Sequence, residues 1–67
     1  MISVSIVIPV RNGERYIVEA IESALLQGKT VCELLVVDDG STDSTAQKVQ
    51  GFSDPRVKLL ARPQGRQ

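Results

Sequence analysis

Apolar residues alternate along the first segment of the chain. Val4, Ile6 and Ile8 fall on one side of an extended backbone, and Val7 adds apolar surface to the other. A run this continuous from Ser3 to Val10 predicts a strand covered on both faces, the habit of parallel sheets. Pro9 cannot donate to a ladder, so the regular strand is expected to fail there. Arg11-Asn12-Gly13-Glu14 follows with turn chemistry.

The period then changes to that of a helix. Ile17, Ala20, Ile21, Ala24 and Leu25 recur on one helical face, with Glu19, Glu22 and Ser23 on the other, which predicts a helix from Arg15 or Tyr16 to Gln27. Gly28 stands where a left-handed cap is commonly needed. Lys29 and Glu14 have the favourable signs for the two ends of the helix dipole. A second apolar run, Cys32 to Val37, predicts a second strand, and the intervening helix makes the pair parallel with a right-handed crossover. A second helix is expected to start within Ser41-Thr42-Asp43-Ser44, four possible caps, and to reach about Gln50. Its inward candidates are Ala46 and Val49, with Phe52 beyond its end. Asp54-Pro55 reads as a turn and Val57 to Leu60 as a short third strand, followed by a polar tail from Ala61 to Gln67. The predicted core is Ile6, Ile8, Ile21, Leu25, Leu34 and Val36.

The fold class is therefore α/β: an open parallel sheet with strands and helices in strict alternation. At 67 residues the sequence is short for this class, whose domains commonly exceed about 100 residues. Two organisations fit: the opening part of a larger domain, or a mini-domain that associates with itself. The apolar strands outnumber the elements available to cover them, which favours the first.

Composition narrows the function classes. With 8 basic and 8 acidic residues the net charge is zero, so the basic stripe of a nucleic-acid or anionic-membrane surface is missing. One cysteine, Cys32, excludes an internal disulfide, and the absence of histidine removes Ser-His-Asp and Cys-His catalysis within this sequence. Cys32 opens a strand and is read as packing. The amino terminus has no basic leader, and its apolar run is interrupted by serines and ended by Pro9-Val10-Arg11-Asn12, so a strand is a better reading than a targeting peptide. No segment approaches the roughly 20 apolar residues of a spanning helix. A cytoplasmic location is expected, or the cytoplasmic face of a membrane if the full-length protein is anchored.

The chemistry concentrates at the two strand ends. Leu34-Leu35-Val36-Val37 closes on Asp38-Asp39 and opens into Gly40-Ser41-Thr42-Asp43. In open α/β sheets, ligands collect beyond the carboxyl ends of the strands. Adjacent residues of a strand point to opposite sides, so one carboxylate can reach a ligand while the other fixes the loop by accepting backbone N–H bonds. An ordinary Asp-Gly turn leading into a capped helix is the structural alternative. Parallel pairing sets the loop from Pro9 to Glu14 beside this one. There Arg11 and Arg15 are suited to phosphate by their forked donors, and Asp39 to a base N–H. The hydroxyls at Ser41, Thr42, Ser44 and Thr45 are read as caps in preference to a phosphate cradle. Neither Gly-x-Gly-x-x-Gly nor Gly-x-x-x-x-Gly-Lys-Ser/Thr occurs, which argues against ordinary dinucleotide and P-loop sites.

Taken together, Ser5 to Gly13, Ile17 to Gln27, and Glu33-Leu34-Leu35-Val36-Val37-Asp38-Asp39-Gly40-Ser41-Thr42-Asp43 closely resemble the amino-terminal part of family 2 glycosyltransferases. These are inverting, nucleotide-sugar-dependent enzymes of the GT-A fold with a Rossmann-like nucleotide-binding start. The resemblance covers nearly the whole chain, including Asp54-Pro55-Arg56-Val57. It implies a single nucleotide-sugar-binding domain of which residues 1–67 are the amino-terminal part. It also implies that Pro9, Arg11 and Asn12 lie beside the nucleotide and that Asp39 faces the base, with Asp38 in the same loop. Position 11 is often tyrosine in the family, and Arg11 departs from that pattern. The implied donor is a nucleotide-diphosphate sugar and the acceptor a sugar, lipid or protein. A divalent metal, Mg or Mn, is implied in the intact enzyme. Its Asp-x-Asp motif and the catalytic base lie farther along in the family, so this stretch alone is expected to be inactive. A receiver-like signalling module is the competing reading. It needs an acidic pair after strand one and a phosphoacceptor after strand three, where this sequence has Pro9-Val10-Arg11-Asn12 and Leu60-Ala61-Arg62.

Overall fold

A computed structural model of the chain describes residues 4–27 and 31–62. The elements run β1 (Val4–Val10), α1 (Ile17–Leu25), β2 (Val31–Asp39), α2 (Thr45–Gln50) and β3 (Val57–Arg62). The sheet has the order β1-β2-β3, and both pairings are parallel. The expected open α/β sheet with alternating elements is the observed one.

Both helices pack on one face of the sheet. Ile6, Ile8 and Val10 of β1 stand in register with Leu34, Val36 and Asp38 of β2, which in turn face Val57, Leu59 and Ala61 of β3. Ile17 and Ile21 of α1 and Val49 of α2 close over Leu34, Val36 and Val10 to make the buried cluster, with Phe52 packed against it. Of the expected core, Ile21, Leu34 and Val36 are fully buried. Ile6, Ile8 and Leu25 are only half-buried. The two isoleucines lie on an edge strand, and Leu25 ends its helix. Ile17 and Val10 take the buried places instead.

The opposite face carries Val7, Leu35, Val37 and Leu60, and no described element covers it. Val7 is 58% exposed and Leu60 49%. The expectation that β1 is covered on both faces therefore fails within the described residues. Crossovers of one hand between consecutive neighbours bring both helices to the same side.

Pro9 corrects a second expectation. The strand does not fail there: Pro9 pairs in register with Val37, and β1 continues to Val10. An edge strand tolerates a residue without an N–H, and β1 is an edge of the sheet formed by the described residues. β2 is longer than the apolar run suggests, because both aspartates belong to it. β3 likewise extends to Arg62. Gly28 and Lys29, assigned above to the end of the first helix, lie outside the described residues. The described end of α1 closes with N–H donation from Leu26 to the Glu22 carbonyl and from Gln27 to that of Ala24.

A clasp fixes the entry to β3. Asp54 accepts from the backbone N–H, Nε and Nη2 of Arg56, the last at 2.8 Å, and Arg56 Nη1 reaches the Val31 carbonyl at 3.3 Å. These contacts tie the α2–β3 connection to the start of β2. The guanidinium holds the Asp54 carboxyl down at about 2.

Candidate functional site

Two loops leave the carboxyl edge of the sheet side by side, after β1 and after β2. Their backbones are joined by side chains from the facing loop. Asn12 donates its N–H to Ser41 Oγ at 2.8 Å, and Asn12 Oδ1 accepts the Thr42 N–H at 2.8 Å. Gly13 donates to Thr45 Oγ1 at 2.9 Å, and Glu14 to Asp43 Oδ2 at 3.3 Å. In return Ser44 donates to Glu14 Oε1 at 3.0 Å, and Lys48 Nζ to the Glu14 carbonyl at 3.2 Å. Each loop thus satisfies donors that the other leaves open.

Local backbone conformation makes this meeting possible. Asn12 adopts φ 53°, a left-handed conformation that asparagine tolerates better than most residues. Gly40 turns the chain out of β2 at φ 79°, where a side chain would be strained. Gly13 is required for a different reason: a Cβ there would lie 2.5 Å from Val10 Cγ2 and 2.7 Å from Tyr16 Cζ. Its carbonyl accepts the N–H groups of both Tyr16 and Ile17, which starts α1 without a side-chain cap.

The adjacent aspartates separate as strand alternation requires. Asp38 points to the helix-covered face, is 3% exposed, and accepts the Ser41 N–H through Oδ1 at 2.9 Å. It builds the turn. Asp39 lies on the other face and is exposed, in register with Arg62. Pro9, also exposed, is on the same face as Asp39, one strand across. Arg11 and Arg15 are exposed in the first loop. Asn12 is exposed too, but its carbonyl oxygen is engaged with Thr42. The structure therefore brings Pro9, Arg11, Asn12 and Asp39 to one edge and places the Asp38 carboxylate underneath it.

Thr45 is the residue whose part the sequence reading missed. It is completely buried, accepts from Gly13, and donates its hydroxyl to Asp43 Oδ1. Asp43 Oδ1 also accepts the Thr45 N–H at 3.0 Å. The Thr45 hydroxyl, followed by the backbone donors, holds the Asp43 carboxyl below its ordinary value. Side-chain acceptors take up the N–H groups of Ser41, Thr42, Ser44 and Thr45, which favours capping over a phosphate cradle. Five consecutive hydroxyl or acidic residues gave no sign of which would be the buried one.

Among the described residues, no three of His, Cys, Asp and Glu are grouped so as to hold a metal ion. Asp38 and Asp39 do not fit that task as a pair, since they leave opposite faces of β2 and the Asp38 carboxylate is committed to Ser41. No described helix is long and apolar enough to cross a membrane.

Comparison with known proteins adds an independent line. The family described as Glycosyl transferase family 2 matches residues 5–67, which includes both loops and all three strands from Ser5 onward. The chain belongs to glycosyltransferase family 2. Among curated relatives, it is 51% identical over 57 residues to the UDP-Glc:alpha-D-GlcNAc-diphosphoundecaprenol beta-1,3-glucosyltransferase WfgD of Escherichia coli, covering 85% of this chain and 22% of that protein. It is 47% identical over 58 residues to the succinoglycan biosynthesis protein ExoO of Rhizobium meliloti (strain 1021), covering 87% of this chain and 17% of that protein. It is 45% identical over 60 residues to the chondroitin synthase of Escherichia coli, covering 87% and 9% respectively. The chain thus spans less than a quarter of the length of each of these relatives.

Proposed function

We propose that residues 1–67 are the amino-terminal part of a single nucleotide-sugar-binding domain, in a protein that transfers a sugar from a nucleotide-diphosphate sugar to a sugar, lipid or protein acceptor. The observation that carries the reading is the division of labour between Asp38 and Asp39. One carboxylate builds the turn, so the other stays exposed at the strand end where an α/β sheet receives its ligand. Family membership over residues 5–67 supports the same chemistry.

In this proposal Asp39 accepts a hydrogen bond from a base N–H, and Pro9 and Asn12 border the nucleotide. Arg11 offsets phosphate charge, with Arg15 near it. The interlocked loops hold these groups in place before the ligand arrives, which reduces the ordering cost of binding. In the intact enzyme the acceptor hydroxyl attacks the anomeric carbon as a base removes its proton, and the nucleoside diphosphate leaves with inversion at that carbon. None of the described residues is assigned the base. A divalent metal, Mg or Mn, would supply charge stabilisation to the departing diphosphate, and we assign its ligands outside these residues. The fragment alone is accordingly inactive. We place the reaction in the cytoplasm or at the cytoplasmic face of a membrane, with no nucleic-acid partner.

The exposed apolar face around Val7 and Leu60 favours one further behaviour, self-association of the 67-residue chain. Sedimentation over a range of concentrations tests it.

Titration of the isotope-labelled chain with nucleoside diphosphates tests the main proposal. Amide shifts confined to residues 9–15 and 38–42 are expected. Shifts absent from both loops, or clustered on the helices, reject the site.

A further inference from the structure

α2 is six residues long, Thr45–Gln50, well below the roughly 12–15 residues at which an isolated helix becomes marginal in water. Its buried anchors are Thr45 and Val49, and its N-cap Ser44 makes no side-chain capping bond of its own. Part of its first turn is supplied by another loop. Ser44 donates its N–H to Glu14 Oε1 at 3.0 Å, and Lys48 Nζ donates to the Glu14 carbonyl at 3.2 Å. In the other direction, Gly13 donates its N–H to Thr45 Oγ1 at 2.9 Å and Glu14 to Asp43 Oδ2 at 3.3 Å. The Asp43 carboxylate that receives Glu14 also accepts the Thr45 N–H at 3.0 Å, so it serves the loop and the helix start together. α1 stands apart from this dependence, because Ile17 and Ile21 anchor it fully buried in the core.

We propose that the β1–α1 loop and α2 open and close as one cooperative unit within the fold, so that whatever orders the loop also orders α2. Units of this kind open below the free energy of global unfolding. A ligand held at the strand ends then stabilises α2, and by linkage a contact that stabilises α2 raises affinity at the strand ends. That ligand half rests on the nucleotide-binding reading above, whereas the cooperative unit stands on the hydrogen bonds alone.

Hydrogen exchange of the isotope-labelled 67-residue chain, read amide by amide, tests the unit. The Gly13 and Glu14 amides report the loop. Lys48 and Gly51 report α2 through their bonds to the Ser44 and Gln47 carbonyls, and Leu34 reports the sheet through its bond to the Arg56 carbonyl. Glu14→Ala removes the acceptor for Ser44 and leaves the Lys48 and Gly51 amides with their own partners. It should nevertheless speed exchange about fivefold at both, with Leu34 unchanged. Glu14→Gln keeps an acceptor oxygen and should restore most of the protection. Gln47→Gly weakens the helix from an exposed position and should speed exchange about fivefold at Gly13 and Glu14. Saturating UDP should slow exchange at the loop and α2 amides together. Acceleration confined to Ser44 in Glu14→Ala, or to α2 in Gln47→Gly, overturns the cooperative unit. Equal acceleration at Leu34 overturns it too, since the opening is then global. UDP that shifts the loop amides without protecting Lys48 and Gly51 overturns the transmission to α2. UDP that binds nowhere rejects the nucleotide site and the ligand half with it, and the substitutions alone then decide the unit.

Discussion

Gly13 donates its backbone N–H to the hydroxyl of Thr45 at 2.9 Å, and this bond connects the start of one helix to the start of the other. Its donor lies in the loop after β1, and its acceptor is the first residue of α2. The same hydroxyl donates to Asp43 Oδ1, so one buried group serves as both acceptor and donor. This hydroxyl joins the strand-end loops together with the Asn12, Glu14 and Asp43 side chains.

Replacing Thr45 with valine keeps the volume and removes both hydrogen bonds. The Gly13 N–H is then buried without a partner, at a cost of about 1–3 kcal/mol. Thr45→Ser retains the hydroxyl and should lose less. Urea midpoints of the two variants check the order. A valine variant as stable as the parent would show that the hydroxyl is incidental.

Gly13→Ala tests the close approach instead of the hydrogen bond. The new methyl enters the space of Val10 Cγ2 and the Tyr16 ring, and overpacking of this kind costs about 1–3 kcal/mol. The loss should appear in the unfolding midpoint with an unchanged slope, because the extent of surface exposed on unfolding stays the same.

The strands and α1 were legible because apolar spacing records them directly. Val4, Ile6 and Ile8 at period two and Ile17, Ile21 and Leu25 at helical spacing each match an observed element. The division between Asp38 and Asp39 was legible for the same reason, since strand alternation alone demands it. Pro9 was misread because its effect depends on whether β1 is an edge, which is a property of the sheet and not of the strand. The selection of Thr45 from the run Ser41 to Thr45 was invisible, because those residue types are interchangeable as caps and only the facing loop decides among them. The bare face was hidden too. Val7 and Leu60 are as apolar as buried residues, and nothing local records which face the helices cover.

The two faces of the sheet should respond differently to truncation. Leu34 is completely buried beneath the helices, so Leu34→Ala is expected to cost about 2–5 kcal/mol. Val7→Ala, at a position 58% exposed in the single chain, should change the unfolding midpoint little at concentrations where the chain is monomeric. Comparable losses at both sites would mean that the second face is covered in solution.

Acid should weaken the fold in a defined window. Asp54 titrates at about 2 in the folded chain against 3.8 for the ordinary group, chiefly through the Arg56 side-chain hydrogen bonds. Asp43 is lowered as well, through Thr45. The unfolded chain therefore takes up protons first as pH falls. Stability from these groups is complete well above pH 3.8 and is lost as pH falls through the folded values, near 2 for Asp54. Asp54→Asn should flatten that part of the profile, measured as urea midpoint against pH. A profile with the same slope in the variant would assign the acid sensitivity to other carboxylates.

The neighbouring aspartates give the sharpest contrast, because two substitutions one residue apart should fail in different assays. Asp38→Ala removes the acceptor for the buried turn, leaving the Ser41 N–H unpaired and costing about 1–3 kcal/mol of folding stability. Asp39→Asn touches an exposed residue that no described turn bond requires, so folding should be nearly unchanged. Under the proposed function its effect falls on binding: loss of a charged acceptor to a base N–H should cost about 1.5–3 kcal/mol, roughly a factor of 10 to 100 in affinity. Calorimetric titration of a nucleoside diphosphate into each variant, beside its denaturant curve, separates the two effects. Stability lost at Asp39 with affinity unchanged would reverse the assignment and make both aspartates parts of the loop.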